Sequence, residues 1–164
     1  MGLVREMAIT VRKATMDDAA RVADFAVRLS EMHAEWDPKR FTRIPMSEGA
    51  VQFYGGRAQA DNAAIFIAED GESVVGFAYI QYEPVLYAEL ATSVAWLHDI
   101  YIEPGERRKG AGEALIQAVK KEARRLGANK ILLSVAEKNN LGRQFFERNG
   151  FYTTMFEMML GLDD

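Results

Sequence analysis

The 164-residue chain contains no cysteine. Disulfides, thiolate metal sites and a cysteine nucleophile are therefore excluded, and a reducing compartment suits the composition. No apolar run approaches the roughly 18 residues that a membrane span needs. Met1 to Thr10 lacks the apolar centre of a signal peptide, so the cytoplasm is the expected setting and no membrane partner is expected. There are two histidines, His33 and His98, and no His-Glu-x-x-His, so no metal is expected. A Gly-x-x-x-x-Gly-Lys-Ser/Thr loop, a Gly-x-Gly-x-x-Gly fingerprint and a Gly-x-Ser-x-Gly elbow are likewise missing. With no internal repeat, low-complexity tract or long linker, residues 1–164 read as one domain. A net charge of -4 argues against a nucleic-acid partner.

The charge that is present is uneven. Residues 1–103 carry nine Lys and Arg against sixteen Asp and Glu, whereas residues 104–164 carry eleven against eight. A cationic partner for the first part and an anionic ligand for the second would satisfy both, although solvated faces alone give the same pattern. Hydrophobic periodicity predicts a strand over Ala8 to Ala14, then a helix opened by Thr15-Met16-Asp17-Asp18, a capping box with Asp for Glu. Asp37-Pro38 ends that helix, 38–46 reads as a loop, and a second helix spans about Ser47 to Ala60, weakened or split by Gly55-Gly56. A hairpin follows, Ala63–Ala68 with Ser73–Tyr82, closed by Glu83-Pro84. Further strands are expected at Thr92–Ile102 and Ile131–Val135, with a helix from Glu113 to Leu126 between them. A last helix from Asn139 to Asn149-Gly150 precedes strands at Phe151-Tyr152 and Met155–Leu160. The order implies an α/β fold with a mixed, partly antiparallel sheet and a right-handed parallel crossover over 96–135.

Arg107-Arg108-Lys109-Gly110-Ala111-Gly112 lies between the long strand and its helix. Glycines allow close backbone approach, and a helix start offers unpaired N–H donors with a partial positive charge, so the turn suits a phosphate-rich ligand. A solvated basic helix start is the plain alternative. Arg107-x-x-Gly110-x-Gly112 resembles the acetyl-CoA pyrophosphate loop of the GNAT acetyltransferase superfamily. Asp99-Ile100-Tyr101-Ile102-Glu103-Pro104 resembles that family's fourth strand and exit. Asn139-x-x-Gly142-x-x-Phe145-Phe146-x-x-x-Gly150-Phe151 resembles its second cofactor segment. The likeness covers 92–152 and is loosest before residue 60.

The resemblance implies a mostly antiparallel central sheet with helices on both faces, its fourth and fifth strands splayed around the cofactor. It also implies acetyl-CoA as donor and a homodimer. The residues it places at the cofactor are Ile100, Tyr101, Ile102, Arg107, Arg108, Lys109, Gly110, Ala111, Gly112, Asn139 and Phe146. The N–H of Ile100 would polarise the thioester carbonyl. Asn139 has a second reading as a helix cap. Acetyl transfer to an amine needs a base, and His98 or Asp99 is the candidate. By alternation only one of the two should face the acceptor, unless a bulge resets the strand. Phe146 stands where many relatives of this family have a tyrosine that protonates the leaving thiolate. Water, Tyr101 or Tyr152 would have to serve instead, or the domain is a non-catalytic acyl-CoA sensor. Glu31, Glu35 and Trp36 after the first helix, with Tyr79 and Tyr82 on the hairpin, are the expected acceptor contacts. Carboxylates and aromatics suit a cationic amine, either a small molecule or a peptide amine. The narrower likeness of Trp96 to Ile102 and Ser134 to Glu137 is to diamine-type acetyltransferases.

Overall fold

The computed structural model describes residues 8–162, so most of the Met1–Thr10 stretch lies outside it. The chain opens with β1 (Ile9–Lys13), and Thr15 donates its N–H to Asp18 Oδ2 at 2.7 Å, completing the box with a shorter acid than usual. Asp18 also receives Arg12 at 2.8 Å and 2.9 Å, and the guanidinium lowers its carboxyl pKa. Helix α1 (Ala19–Trp36) buries Val22, Ala23 and Phe25. Helix α2 (Glu48–Gln59) starts at Ser47, whose Oγ accepts from the Ala50 N–H at 3.1 Å. Its glycines do not split it. A Cβ on Gly55 would lie 2.9 Å from Met16 Sδ, so the missing side chain lets α2 rest on the turn before α1.

Three antiparallel strands follow, β2 (Ala63–Asp70), β3 (Ser73–Leu86) and β4 (Ala91–Ile102). Helix α3 (Ala111–Leu126) crosses over to β5 (Lys130–Leu132), and α4 (Asn140–Arg148) follows. The sheet order is β1-β2-β3-β4-β5, antiparallel except for the parallel β4–β5 pair. Gly127 caps α3 at φ +100°, with the Ala128 N–H returning to the Ala123 carbonyl at 2.9 Å. Period-two alternation divides the core between the two faces. Phe66, Ala78, Ile80 and Leu97 meet α3 and α4 through Leu115, Ile116, Val119 and Phe146. Ile65, Ile67, Phe77, Tyr79 and Tyr101 meet α1 through Val22 and Phe25. No helix among the described residues is long and apolar enough to cross a membrane.

Four expectations are corrected. Glu83-Pro84 does not end β3, which runs to Leu86. Beyond Gln81 it has lost β2, so a proline without an N–H can sit where one strand edge is open. β5 keeps three residues, because its pairing with β4 covers only Val94–Trp96; past Trp96 the two strands part. Residues 151–162 form no strand: the chain leaves α4 through Gly150 at φ +92° and meets no strand edge among the described residues. Finally, β4 carries one residue more than β3. Tyr79 faces Asp99, but Ile80 faces Leu97, leaving His98 as a bulge that shifts the alternation.

Beneath the sheet's far end, Glu122 of α3 is buried and accepts from Lys13 at 2.8 Å and from Arg125 at 2.6 Å and 2.9 Å. The Arg125 hydrogen bonds lead in holding its pKa down to about 2. A depressed carboxyl stabilises the fold above its unfolded pKa and loses that contribution as pH falls towards the folded one. Both partners are about half exposed, so the contribution is on the order of 2 kcal/mol. Glu122→Gln is therefore expected to lower stability at pH 7 by about that amount and to flatten the loss of stability between about pH 4.5 and pH 2, as read by denaturant titration.

Candidate active site

The bulge brings His98 and Asp99 to one cleft of about 310 Å³, bounded by α1, the 37–46 loop, α2 and β4. The alternation rule that allowed only one of them to face it is thereby overturned. The lining that matters chemically is His33, Phe41, Tyr54, His98 and Asp99. Asp99 is largely enclosed, and burial pushes its carboxyl above the usual carboxylate range. The hydrogen bond from Tyr54 Oη, 2.9 Å long, and the nearby His33 oppose that rise. Burial and the Asp99 charge raise Tyr54 in turn, so its hydroxyl remains a donor. The His98 ring stacks on Tyr79 with centroids 4.9 Å apart. Burial lowers its pKa, and the Glu83 carboxylate works against that. The His33 Nδ1–H donates to the Leu29 carbonyl at 2.8 Å, and its ring meets Trp36 and Phe41 edge-on. The cleft wall is held from behind, since Ser30 Oγ accepts from the Ile44 N–H at 2.9 Å.

His98 also borders a smaller hollow of about 140 Å³, formed with Glu83, Glu89 and Trp96. Gln81 feeds it: Tyr79 Oη donates to Gln81 Oε1 at 2.7 Å, and Gln81 Nε2 donates to Glu83 at 2.6 Å. Of the expected acceptor residues, Tyr79 reaches this region through His98, and Trp36 through His33. Glu31 and Glu35 are exposed and line neither hollow. Tyr82 lies elsewhere, its hydroxyl 3.5 Å from where a Cβ on Gly127 would sit. Tyr54, Phe41 and Glu89 were not foreseen. Ala50 and Tyr54, four residues apart on α2, face the cleft together, and that spacing was the available signal.

β4 then passes its open edge, Leu97–Ile102, to the basic turn. Ile100 and Ile102 pack towards α3, and Tyr101 points to the opposite face, its hydroxyl donating to Glu103 at 3.3 Å. Arg108 at φ +66° and Gly110 at φ +91° curl the backbone into α3. The N–H groups of Gly110 to Glu113 donate to no acceptor among the described residues; Ala114 is the first to close the helix, onto Gly110 at 3.0 Å. Consecutive free donors at a helix start make a cradle for phosphate oxygens. Lys109 is engaged by Glu106 at 2.7 Å and Asp70 at 3.7 Å, and Arg107 Nε by the Ile102 carbonyl at 3.3 Å. Arg108 has no side-chain partner among the described residues. A Cβ on Gly112 would lie 2.9 Å from the Phe145 ring, so this glycine admits α4 to the start of α3. Asn139 Oδ1 accepts from the Gly142 N–H at 2.9 Å and caps α4; a Cβ on Gly142 would collide with the Asn139 carboxamide. Phe146 is buried between Phe145 and Phe151.

The family model for the acetyltransferase (GNAT) family matches residues 26–151. Over 143 residues the chain is 27% identical to the uncharacterized N-acetyltransferase YhfO of Bacillus subtilis, covering 87% of this chain and 89% of that protein. It is 32% identical over 99 residues to an aminoglycoside N(6')-acetyltransferase type 1 of Klebsiella aerogenes, covering 60% of this chain and 64% of that one. Among solved structures, the aminoglycoside N-acetyltransferase AAC(6')-Iy in complex with CoA superposes with a TM-score of 0.75 at 19% identity, over 98% of each chain. That likeness speaks for the fold.

The Tyr54 hydrogen bond favours the charged form of Asp99, so its removal raises the pKa. In carboxyl-carbon NMR, Asp99 is expected to titrate above an ordinary aspartate, and Tyr54→Phe to move that titration to still higher pH. An unmoved titration would mean that the bond does not form.

Proposed function

Because the chain belongs to the acetyltransferase (GNAT) family, we propose that it moves an acetyl group from acetyl-CoA to a primary amine of a small cationic molecule, by direct attack in a ternary complex. The activity class, an acetyl-CoA-dependent N-acetyltransferase, comes with the family and with relatives such as YhfO. The observation that carries the rest is the meeting of His98 and Asp99 in one cleft, on the strand that leads into the amide-lined turn.

The chemistry follows from what each group can do. A lysine-like amine, with a pKa of about 10.4, must lose a proton before it attacks. Burial moves Asp99 up from its ordinary value, towards the neutral range where a base works best, and moves His98 down, which keeps its imidazole uncharged and able to accept a proton. The amine nitrogen bonds the thioester carbon, the carbon–sulfur bond breaks, and the amine proton passes to Asp99 or His98, directly or through water. The Ile100 N–H would stabilise the oxyanion. The amides of Arg107, Arg108, Lys109, Gly110, Ala111 and Gly112 would hold the diphosphate, while the open edge at Ile100, Tyr101 and Ile102 would bind the pantetheine amides. Phe146 has no proton to give, the Tyr101 hydroxyl is committed to Glu103, and Tyr152 is exposed. CoA, with a thiol pKa near that of cysteine at about 8.5, would therefore leave with solvent assistance.

For the acceptor, Glu83 and Glu89 beside Trp96 supply negative charge and an indole face, a combination that suits an ammonium group. The aminoglycoside acetyltransferase relative supports the same class. A homodimer and a cytoplasmic setting belong to this reading. Phe146 favours one rival, an acyl-CoA-binding sensor without turnover.

Thiol release from acetyl-CoA, measured across polyamines, aminoglycosides, peptide amines and uncharged amines, decides between them. Turnover confined to small cationic acceptors is expected; turnover with uncharged acceptors alone would refute the cationic site, and acetyl-CoA binding with no thiol release would select the sensor. Asp99→Asn is expected to lower kcat by about 10²-fold or more while acetyl-CoA affinity stays unchanged. Gly110→Val forces a β-branched residue into the left-handed region at a cost of about 1–2 kcal/mol, and is expected to weaken acetyl-CoA binding roughly 10-fold by calorimetry.

A further inference from the structure

The two hollows that meet at His98 differ in chemistry, and the difference bears on what carries the reacting amine. The larger one is walled on one side by a stripe of α1, where Ala23, Ala26, Val27 and Ser30 recur at helical spacing. Phe41 and Ile44 of the 37–46 loop add further carbon. Its one carboxylate among the described residues is Asp99, which already receives the Tyr54 hydroxyl. The other polar groups of the wall are turned on the protein itself. Ser30 Oγ donates to the Val27 carbonyl at 2.7 Å and accepts from the Ile44 N–H, and the His33 Nδ1–H is held by the Leu29 carbonyl. A hydroxylated or multiply charged guest would lose its water here for few partners, and unpaired polar or charged groups in such a place are costly. A hydrocarbon guest meets no such penalty and gains from leaving water.

The smaller hollow is the reverse. Glu83 and Glu89 set two carboxylates beside Trp96. Arg57 answers part of that charge from α2: its Nη1 donates to Gln81 Oε1 at 3.3 Å, and Gln81 Nε2 donates to Glu83 at 2.6 Å. What is left suits one ammonium better than several. His98 is the one residue that lines both hollows. A nitrogen placed there has carboxylates on one side and a carbon-lined cleft on the other.

We propose that the acceptor is a monoamine with an apolar body, a short alkyl chain or a single ring, whose nitrogen lies at His98 and whose carbon skeleton fills the larger cleft. This rests on the transfer reading above and narrows its acceptor class. Size agrees with it. A cleft of about 310 Å³ stands at the small end of the roughly 300–1,000 Å³ range of small-molecule sites, with room for one ring but not for several linked sugars. Charge agrees as well. The ammonium nitrogen gives up two protons and bonds the acetyl carbon as the carbon–sulfur bond breaks, leaving a neutral acetamide, CoA thiol and one released proton. The product thus loses its attraction to Glu83 and Glu89, which favours its release.

Thiol release from acetyl-CoA, followed at fixed pH with the n-alkyl amines from ethylamine to hexylamine, tests this. kcat/KM is expected to rise about fourfold per added methylene until the cleft is full. Cadaverine, which matches hexylamine in length but ends in a second ammonium, is expected to fall at least about tenfold below it, and an aminoglycoside lower still. A flat series, or a preference for cadaverine or the aminoglycoside over hexylamine, would overturn the proposal. Val27→Asp sets a carboxylate in the wall and is expected to move the hexylamine-to-cadaverine ratio about tenfold towards cadaverine. An unmoved ratio in the folded variant counts against the proposal, and if the variant does not fold the wild-type series decides alone. Should no amine release thiol, calorimetry of the same amines on the CoA-bound protein separates the two readings. Affinity that rises with alkyl length would keep the cleft assignment and remove the transferase, whereas equal or absent affinities would overturn the assignment.

Discussion

One additional residue in β4 decides what the centre of this protein can do. Opposite the Tyr79–Ile80 step, β3 offers two positions and β4 three, so the strand cannot keep a single alternation. Leu97 faces the α3 side with Ile100 and Ile102, while Asp99 and Tyr101 face the α1 side. The residue left over, His98, is freed from the ladder and turns to the same cleft as Asp99. Regular pairing would have separated the imidazole from the carboxyl by the thickness of a sheet. The bulge instead sets two groups of opposite titration behaviour beside each other.

The parting of β4 from β5 acts on the same strand a few residues later. Once the parallel pairing stops at Trp96, the backbone of Leu97–Ile102 has one edge without a partner, and unsatisfied amides in a protein interior are costly unless something accepts from them. The turn that follows adds further free donors. The exit is fixed despite this openness: Glu103 donates its N–H to the Val75 carbonyl at 2.8 Å, while its carboxylate receives Arg28 at 2.7 Å and Arg21 at 3.3 Å from α1. A ligand rich in phosphate and amide groups would find these groups already placed, so little ordering would remain to oppose its binding.

Most of the architecture could be read from periodicity and turn chemistry, because local signals agreed with tertiary packing. Asp18 closed its box, Ser47 and Asn139 capped their helices, and Gly127 ended α3. The misreadings share a cause, which is dependence on a distant strand. Whether Pro84 ends a strand depends on where β2 stops. Whether Met155–Leu160 becomes a strand depends on an edge for it to join. Neither is written in the neighbouring residues. The basic turn was legible as a place, because glycines and cations between a strand period and a helix period mark a bend with free donors, whereas the cleft was only half legible. His98 and Asp99 were visible as a pair, but Tyr54, Phe41 and Glu89 lie between 9 and 58 residues away in the chain, and their meeting is set by how α2 and the β3–β4 connection pack. The acidic cluster at Glu31 and Glu35 drew attention by density alone; both side chains lie exposed on α1 and line neither hollow.

The 37–46 loop is anchored at two points of different kinds. Near its end, Ser30 holds the Ile44 amide from within the helix beneath it. Near its start, Arg40 is gripped by Glu157 from the far end of the chain. With one anchor on α1 and the other beyond α4, the loop that brings Phe41 to the cleft is held by segments far apart in the chain, so the outer wall of the cleft depends on the closure of the whole fold and not on its sequence neighbours.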